Sequence, residues 1–76
     1  MSTQAPDILR LFGTNLRRIR KERGFSQREL SARCNVDNAD ISRMENGEIN
    51  VTLRTLSQLA DALEVAILEL LADRKT

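Results

Sequence analysis

Apolar residues recur three and four positions apart in five short segments of this chain, and turn-forming residues separate most of these segments. The first segment ends at Gly24, the second at Asn35 and the third at Asn46-Gly47. Glycine and asparagine adopt the left-handed conformation that ends helices more readily than other residues do. The pattern therefore predicts an all-α fold of five helices. With 76 residues, the chain has room for one domain.

Helix-capping residues support these boundaries. The predicted helix starts are Pro6-Asp7 for the first helix, Ser26 for the second, Asp37 for the third and Thr52 for the fourth. Ser26 and Glu29 have the spacing of a capping box. The segment 1–6 is predicted to be disordered, and 7–76 to form the domain.

Apolar residues on the inward faces of the helices make up the predicted core. Its members are Ile8, Leu9, Phe12, Leu16 and Ile19 in the first helix, Leu30 and Cys34 in the second, Val36, Ile41 and Met44 around the third, and Leu53, Leu56, Leu59, Ala60 and Leu63 in the fourth. A fifth helix, about Ala66 to Ala72, adds four aliphatic residues to a small core. This surplus predicts a homodimer interface at Ile67, Leu68 and Leu71. The alternative is that all four aliphatic residues complete the core.

Composition excludes several function classes. The chain has no histidine, Trp or Tyr, two Phe and one cysteine, Cys34. It therefore lacks a His-based catalytic centre, a Cys or His metal cluster, an intrachain disulfide and an aromatic platform for single-stranded nucleic acid. We expect no enzyme activity, no metal or cofactor, and no small-molecule ligand.

The chain shows no membrane-length apolar run and no signal peptide, and a lone thiol suits a reducing compartment, so we expect a cytoplasmic protein.

Charge is divided unevenly along the chain. Residues 10–43 hold nine basic and four acidic residues, a net +5, and residues 44–76 hold three basic and six acidic residues, a net −3. A basic half is the expected footprint of a surface that meets a polyanion. A solvated helix face rich in arginine is the alternative interpretation.

The second and third predicted helices are separated by only about three residues, Asn35-Val36-Asp37. This is the spacing of a helix-turn-helix, in which the second of the two helices enters the major groove of DNA. The spacing alone is weak support, because many helical bundles contain two short consecutive helices.

From Phe12 to Leu71 the sequence resembles the phage-repressor and Cro-like (Xre-type) helix-turn-helix domains. The matching motifs are Leu16 to Arg20 before Gly24, Ser26-Gln27-x-x-Leu30, Val36-Asp37, Ile41-Ser42-x-Met44-Glu45-Asn46-Gly47 and Leu56-x-x-Leu59-Ala60-x-Ala62-Leu63-x-Val65. The small size and the loop from Ile49 to Leu53 also resemble the controller proteins of restriction-modification systems. Stand-alone prophage repressors can look much the same.

The resemblance implies a five-helix lambda-repressor-like domain that binds double-stranded DNA as a homodimer on a palindromic operator and regulates transcription. The implied base contacts are Asn38, Ala39, Ser42 and Arg43; the implied backbone contacts are Gln27, Arg28, Asn46 and Arg54; and the implied structural ion pair is Arg20 with Glu45. Ser31, Asn35 and Asp40 depart from the family pattern, and Asp40 could accept a hydrogen bond from cytosine or be repelled by phosphate. A protein-interaction module such as an antitoxin is the alternative function.

Overall fold

The computed structural model describes residues 7–73. In this range the chain forms five α-helices: α1 (Ile8–Glu22), α2 (Gln27–Cys34), α3 (Asn38–Glu45), α4 (Leu53–Leu63) and α5 (Ile67–Leu71). The described residues contain no strand, so the predicted all-α class and helix count are confirmed. The segment predicted to be disordered, 1–6, lies outside the described residues.

Side-chain caps start three of the helices, at Ser26 and Thr52 as predicted and at Asp7, the residue before α1. The Asp7 carboxylate accepts from the Leu9 N–H at 3.1 Å, and Thr52 Oγ1 accepts from the Thr55 N–H at 3.0 Å. At α2 the capping box is complete, with Ser26 Oγ accepting from the Glu29 N–H at 3.0 Å and Glu29 Oε1 accepting from the Ser26 N–H at 2.7 Å. The hydrogen bonds from the Ser26 backbone and hydroxyl hold the pKa of the Glu29 carboxyl below its usual range.

The prediction that the Asp37 side chain caps α3 is wrong. Asp37 occupies the N-cap position, but its side chain makes no cap hydrogen bond. The residue is exposed, so water can solvate both its carboxylate and the first amides of the helix.

The ends of α1, α2, α3 and α4 use the left-handed conformation. Gly24 has φ +79° and Gly47 has φ +73°, and Asn35 has φ +59°, as expected from their positions. Glu64, which closes α4, also has φ +59°. Arg23 donates from Nη2 to the Glu64 carbonyl oxygen at 3.1 Å and so joins the end of α1 to this turn.

The core is a single apolar cluster between the helices. Its buried members are Phe12, Leu16, Ile19, Leu30, Cys34, Ile41, Met44, Leu56, Leu59, Ala60, Leu63 and Leu70. Four predicted core residues are not among them. Leu9 and Val36 are half-buried, and Val36 packs against the cluster. Ile8 and Leu53 are more open to solvent, at 54% and 81% exposed. Each is the first residue of its helix, and the periodicity that predicted burial does not show where the neighbouring helices end.

Two residues of α1 set the positions of the helices packed against it. A Cβ at Gly13 would overlap the Met44 carbonyl oxygen and lie 2.8 Å from that of Glu45, so glycine allows α1 to approach the end of α3. Asn15 is buried, and its Nδ2 donates to the carbonyl oxygens of Leu70 at 3.0 Å and Ala72 at 2.9 Å. These bonds hold the end of α5 against α1.

Candidate nucleic-acid interface

Helices α2 and α3 form the helix-turn-helix, and α3 is its second helix. The left-handed Asn35 turns the chain after α2, and Ser31 Oγ donates to the Val36 carbonyl oxygen across the turn. On α3, Ile41 and Met44 are buried in the core. The packing of these two side chains leaves the opposite face of α3 for contact with a ligand.

The four predicted base-contact residues differ in exposure. Ala39 and Arg43 are exposed, and Asn38 and Ser42 are half-buried. The Oδ1 atom of Asn38 is enclosed and has no hydrogen-bond partner. A bidentate contact with adenine uses both amide atoms, so Asn38 must rotate before it can make this contact.

Arg43 is paired within its own helix. Its Nη1 donates to Asp40 Oδ1 at 2.9 Å, and both side chains are about half exposed, at 52% for Arg43 and 45% for Asp40. The predicted base-contact arginine therefore lies beside a carboxylate on the same part of α3. The sequence placed Asp40 in this region, but the pairing was not predicted.

The predicted DNA-backbone contacts fall into two groups. Arg28, Asn46 and Arg54 are exposed. Gln27 is half-buried, and its Nε2 donates to Glu45 Oε1 at 3.0 Å. An amide nitrogen carries two hydrogens, so Gln27 keeps one that can donate to a phosphate oxygen.

Arg20 and Glu45 join α1 to the end of α3 through a buried, bidentate ion pair. Arg20 Nε lies 2.6 Å from Glu45 Oε2 and Nη2 lies 3.0 Å from Oε1, with 9% and 2% of the two side chains exposed. Arg20 Nη1 also donates to the Phe25 carbonyl oxygen at 2.8 Å, just before α2. Together with Gln27, this network connects α1, α2 and α3 and fixes the angle between them.

The short helix α5 divides its aliphatic residues between core and solvent. Leu70 is fully buried and Leu71 is half-buried, while Ile67 is 41% exposed and Leu68 is 76% exposed. Leu71 also lines a shallow apolar groove with Ile8 and Leu53. Two apolar surfaces, one on α5 and one at the first turns of α1 and α4, are therefore open to a partner.

The described part of the chain, residues 7–73, offers little for metal binding, membrane insertion or thiol chemistry. No group of three or more His, Cys, Asp or Glu side chains in this range could hold a metal ion. None of the helices in the same range is long and apolar enough to cross a membrane. Cys34 is buried, and burial raises the pKa of its thiol, which disfavours the reactive thiolate.

Gly13 and Asn15, which position the helices around this surface, were not predicted from the sequence. Gly13 interrupts the apolar stripe of α1, and a glycine inside a helical pattern, which is unfavourable there, can mark close packing. Asn15 gave no such signal, because its partners are backbone carbonyls distant in sequence.

The fold and this surface define a helix-turn-helix DNA-binding domain. The helix-turn-helix family model matches residues 16–70, and the chain belongs to this family. It is 41% identical over 64 residues to an HTH-type transcriptional regulator, y4dJ, of Sinorhizobium fredii, covering 84% of this chain and 83% of the relative.

Two further relatives are named as control proteins. The chain is 35% identical over 68 residues to the control protein C.MunI of a Mycoplasma species, covering 88% of this chain and 92% of the relative. The crystal structure of the restriction-modification controller protein C.AhdI from Aeromonas hydrophila superimposes with a TM-score of 0.80 at 35% identity, covering 82% of this chain and 94% of that one. The predicted resemblance to the family and to its controller proteins is confirmed.

Proposed function

We propose that this chain is a transcription regulator that binds double-stranded DNA sequence-specifically by inserting α3 into the major groove. The observation that carries the proposal is the presentation of α3. Its inner face is held by Ile41 and Met44 and its end by the buried pair of Glu45 with Arg20, while Ala39 and Arg43 point outward from a rigid support. Rigid presentation of a few side chains is what base readout requires.

The proposed contacts divide by chemistry. Arg43 can donate two hydrogen bonds to guanine, the methyl group of Ala39 can contact a thymine methyl, and Asn38 and Ser42 can bond to base edges. Arg28, Asn46 and Arg54 are exposed donors suited to phosphates, and Gln27 adds its remaining N–H.

The protein acts as a homodimer in this proposal, with α5 at the interface. Leu68 and Ile67 are large apolar side chains that the monomer leaves exposed. A twofold axis would place the two α3 helices on half-sites about 10 bp, or a multiple of this, apart on a palindromic operator. The similarity to controller proteins favours a role in regulating a restriction-modification system from the cytoplasm.

Selection of bound sequences from random DNA duplexes tests the DNA-binding proposal. The wild type should return a palindromic consensus, and binding should weaken steeply with salt because phosphate contacts release counterions. Arg43→Ala should relax the preference at one position per half-site, and Gln27→Ala should weaken binding to different sequences by a similar factor. Gln58→Ala, at an exposed position of α4, is the control and should change neither property. A wild-type protein without preference among duplexes would contradict the proposal.

Sedimentation of two leucine variants tests the dimer. Leu68 and Leu53 are similarly exposed, at 76% and 81%, and lie on different apolar surfaces. Leu68→Glu should remain folded and sediment as a monomer, because a carboxylate buried at an interface without a partner is strongly unfavourable. Leu53→Glu should remain a dimer. The opposite result would move the interface to the groove beside α1 and α4.

A further inference from the structure

The Asp40–Arg43 ion pair lies on the part of α3 that the proposed function directs toward DNA. The two residues are three positions apart, so their side chains are neighbours on the helix surface, with Nη1 and Oδ1 at 2.9 Å. A carboxylate here is unexpected on electrostatic grounds, because DNA phosphates repel it. Attraction to DNA therefore does not explain why a carboxylate lies on this part of α3.

Fold stability does not account for the pair. Both side chains are about half exposed, at 52% and 45%, and exposed ion pairs contribute little to stability. The helix is already held by buried apolar side chains and by the Arg20–Glu45 pair. Removal of Asp40 should accordingly leave the domain folded.

The chemistry of the pair suits control of Arg43. A guanidinium carries five N–H donors in a planar fork, so the bond to Asp40 leaves others for the O6 and N7 atoms of guanine. The bond also restricts the orientations of a long side chain, and the carboxylate offsets a charge that would otherwise attract any phosphate. Both effects favour one base contact over contacts with the DNA backbone.

We propose that Asp40 is a positioning residue that sets the base specificity of Arg43 by holding its guanidinium and neutralising its charge. This inference rests on the proposed function, because it assigns Arg43 to a base contact. Asp40 acts through Arg43 and does not itself read a base.

Removing Asp40 should have two measurable effects on DNA binding. Discrimination at the base that Arg43 contacts should fall roughly two- to fivefold, the size of the loss expected for an exposed ion pair. Affinity for non-operator DNA should rise and its dependence on salt should steepen, because Arg43 becomes available to phosphates. In Asp40→Asn, the amide oxygen can still accept from Arg43, so base discrimination should be largely kept while non-operator affinity still rises.

A double-mutant cycle tests the proposal. Wild type, Asp40→Ala, Arg43→Ala and the double variant are titrated with the selected operator and with duplexes changed at the base pair that Arg43→Ala relaxes, at two salt concentrations. The effect of Asp40→Ala on base discrimination should disappear in the Arg43→Ala background. Asp37→Ala is the matched control, because Asp37 is a nearby exposed carboxylate without a cap hydrogen bond. It should raise non-operator affinity through charge and leave base discrimination unchanged.

Three results would overturn the proposal. If Asp40→Ala lowers discrimination equally with and without Arg43, then Asp40 reads a base directly. If Asp37→Ala and Asp40→Ala have the same effects, only net charge matters. In both cases the wild type still binds an operator, and the proposed function stands. If the wild type shows no sequence preference, the proposed function fails together with this inference.

Discussion

Replacing Arg20 by alanine removes one side of a buried network while leaving the other in place. The Glu45 side chain is 2% exposed and would keep only the N–H of Gln27 as a side-chain donor. The Phe25 carbonyl oxygen would lose the guanidinium bond it accepts at 2.8 Å. The variant therefore leaves an uncompensated carboxylate in the interior between α1, α2 and α3.

The size of the effect follows from that burial. Breaking a buried ion pair by removing one partner typically costs about 3–5 kcal/mol. A domain of 76 residues has a total free energy of unfolding of roughly 4–11 kcal/mol. Since each kcal/mol shifts Tm by about 4–8 °C in a domain of this size, Tm should fall by at least about 12 °C.

Thermal and urea unfolding at one fixed protein concentration measure this loss, since a dimer makes Tm depend on concentration. Glu22→Gln is the control, because Glu22 is 59% exposed and pairs with Arg18 at 3.3 Å, so its loss should cost less than about 0.5 kcal/mol. The double variant Arg20→Met with Glu45→Met should recover most of the stability, since it buries no unpaired charge.

DNA binding provides the second measurement for Arg20→Ala. A residue that fixes the angle of α3 should affect all sequences alike, at temperatures where the variant is still folded. A stability loss below about 1 kcal/mol, combined with weakened binding at a single base position, would contradict a supporting role for Arg20. Arg20 would then be a DNA contact and not a support for α3.

Three further substitutions test the packing and the capping. Gly13→Ala should lower the free energy of unfolding, measured in urea titrations, by about 1–3 kcal/mol, because its Cβ meets the backbone of α3. Alanine favours helices, so increased stability would contradict the close packing. Asn15→Ala should lower the free energy of unfolding by about 1–3 kcal/mol and speed hydrogen exchange in α5, because the Leu70 carbonyl loses its side-chain donor. Unchanged exchange would show that α5 is held by apolar packing alone. The hydrogen bond from the Ser26 N–H lowers the pKa of Glu29. The ionised Glu29 carboxylate therefore stabilises the fold above the unfolded-state pKa of about 4.3, and this stabilisation is lost as pH falls through the folded-state pKa. Glu29→Gln should therefore flatten the acid limb of a pH titration of Tm, and an unchanged limb would refute the assignment.

The helices could be predicted from the sequence because their signals are local. Gly24, Asn35 and the Ser26–Glu29 capping box each act within one turn of the helix that they begin or end. Burial could be predicted only where a stripe continues through a helix. Leu53 has the correct spacing for the stripe of α4, but it lies at the first turn, where no neighbouring helix covers it.

The candidate site was less predictable, since its contacts depend on how the helices pack. Gln27 was assigned to phosphate by resemblance, and its bond to Glu45 requires knowing that α2 and the end of α3 are adjacent. The Asp40–Arg43 spacing was visible in the sequence, but spacing alone does not show whether the carboxylate pairs with arginine or faces solvent. The enclosed Oδ1 of Asn38 likewise appears only in three dimensions.

The two ion pairs of α3 differ in burial, and this difference determines what each can contribute. Arg20–Glu45 is nearly inaccessible to water, so salt screens it little and it can fix the position of the whole helix. Asp40–Arg43 is half exposed, so it adds little to stability but remains within reach of a ligand. Changes at Arg20–Glu45 should therefore alter the affinity for every duplex by the same factor, whereas changes at Asp40–Arg43 should alter the ratio of the affinities for different duplexes. A helix held by a buried pair can tolerate changes in its exposed pair without losing its fold, so we expect base preference to be adjustable at Asp40 and Arg43 with little effect on Tm.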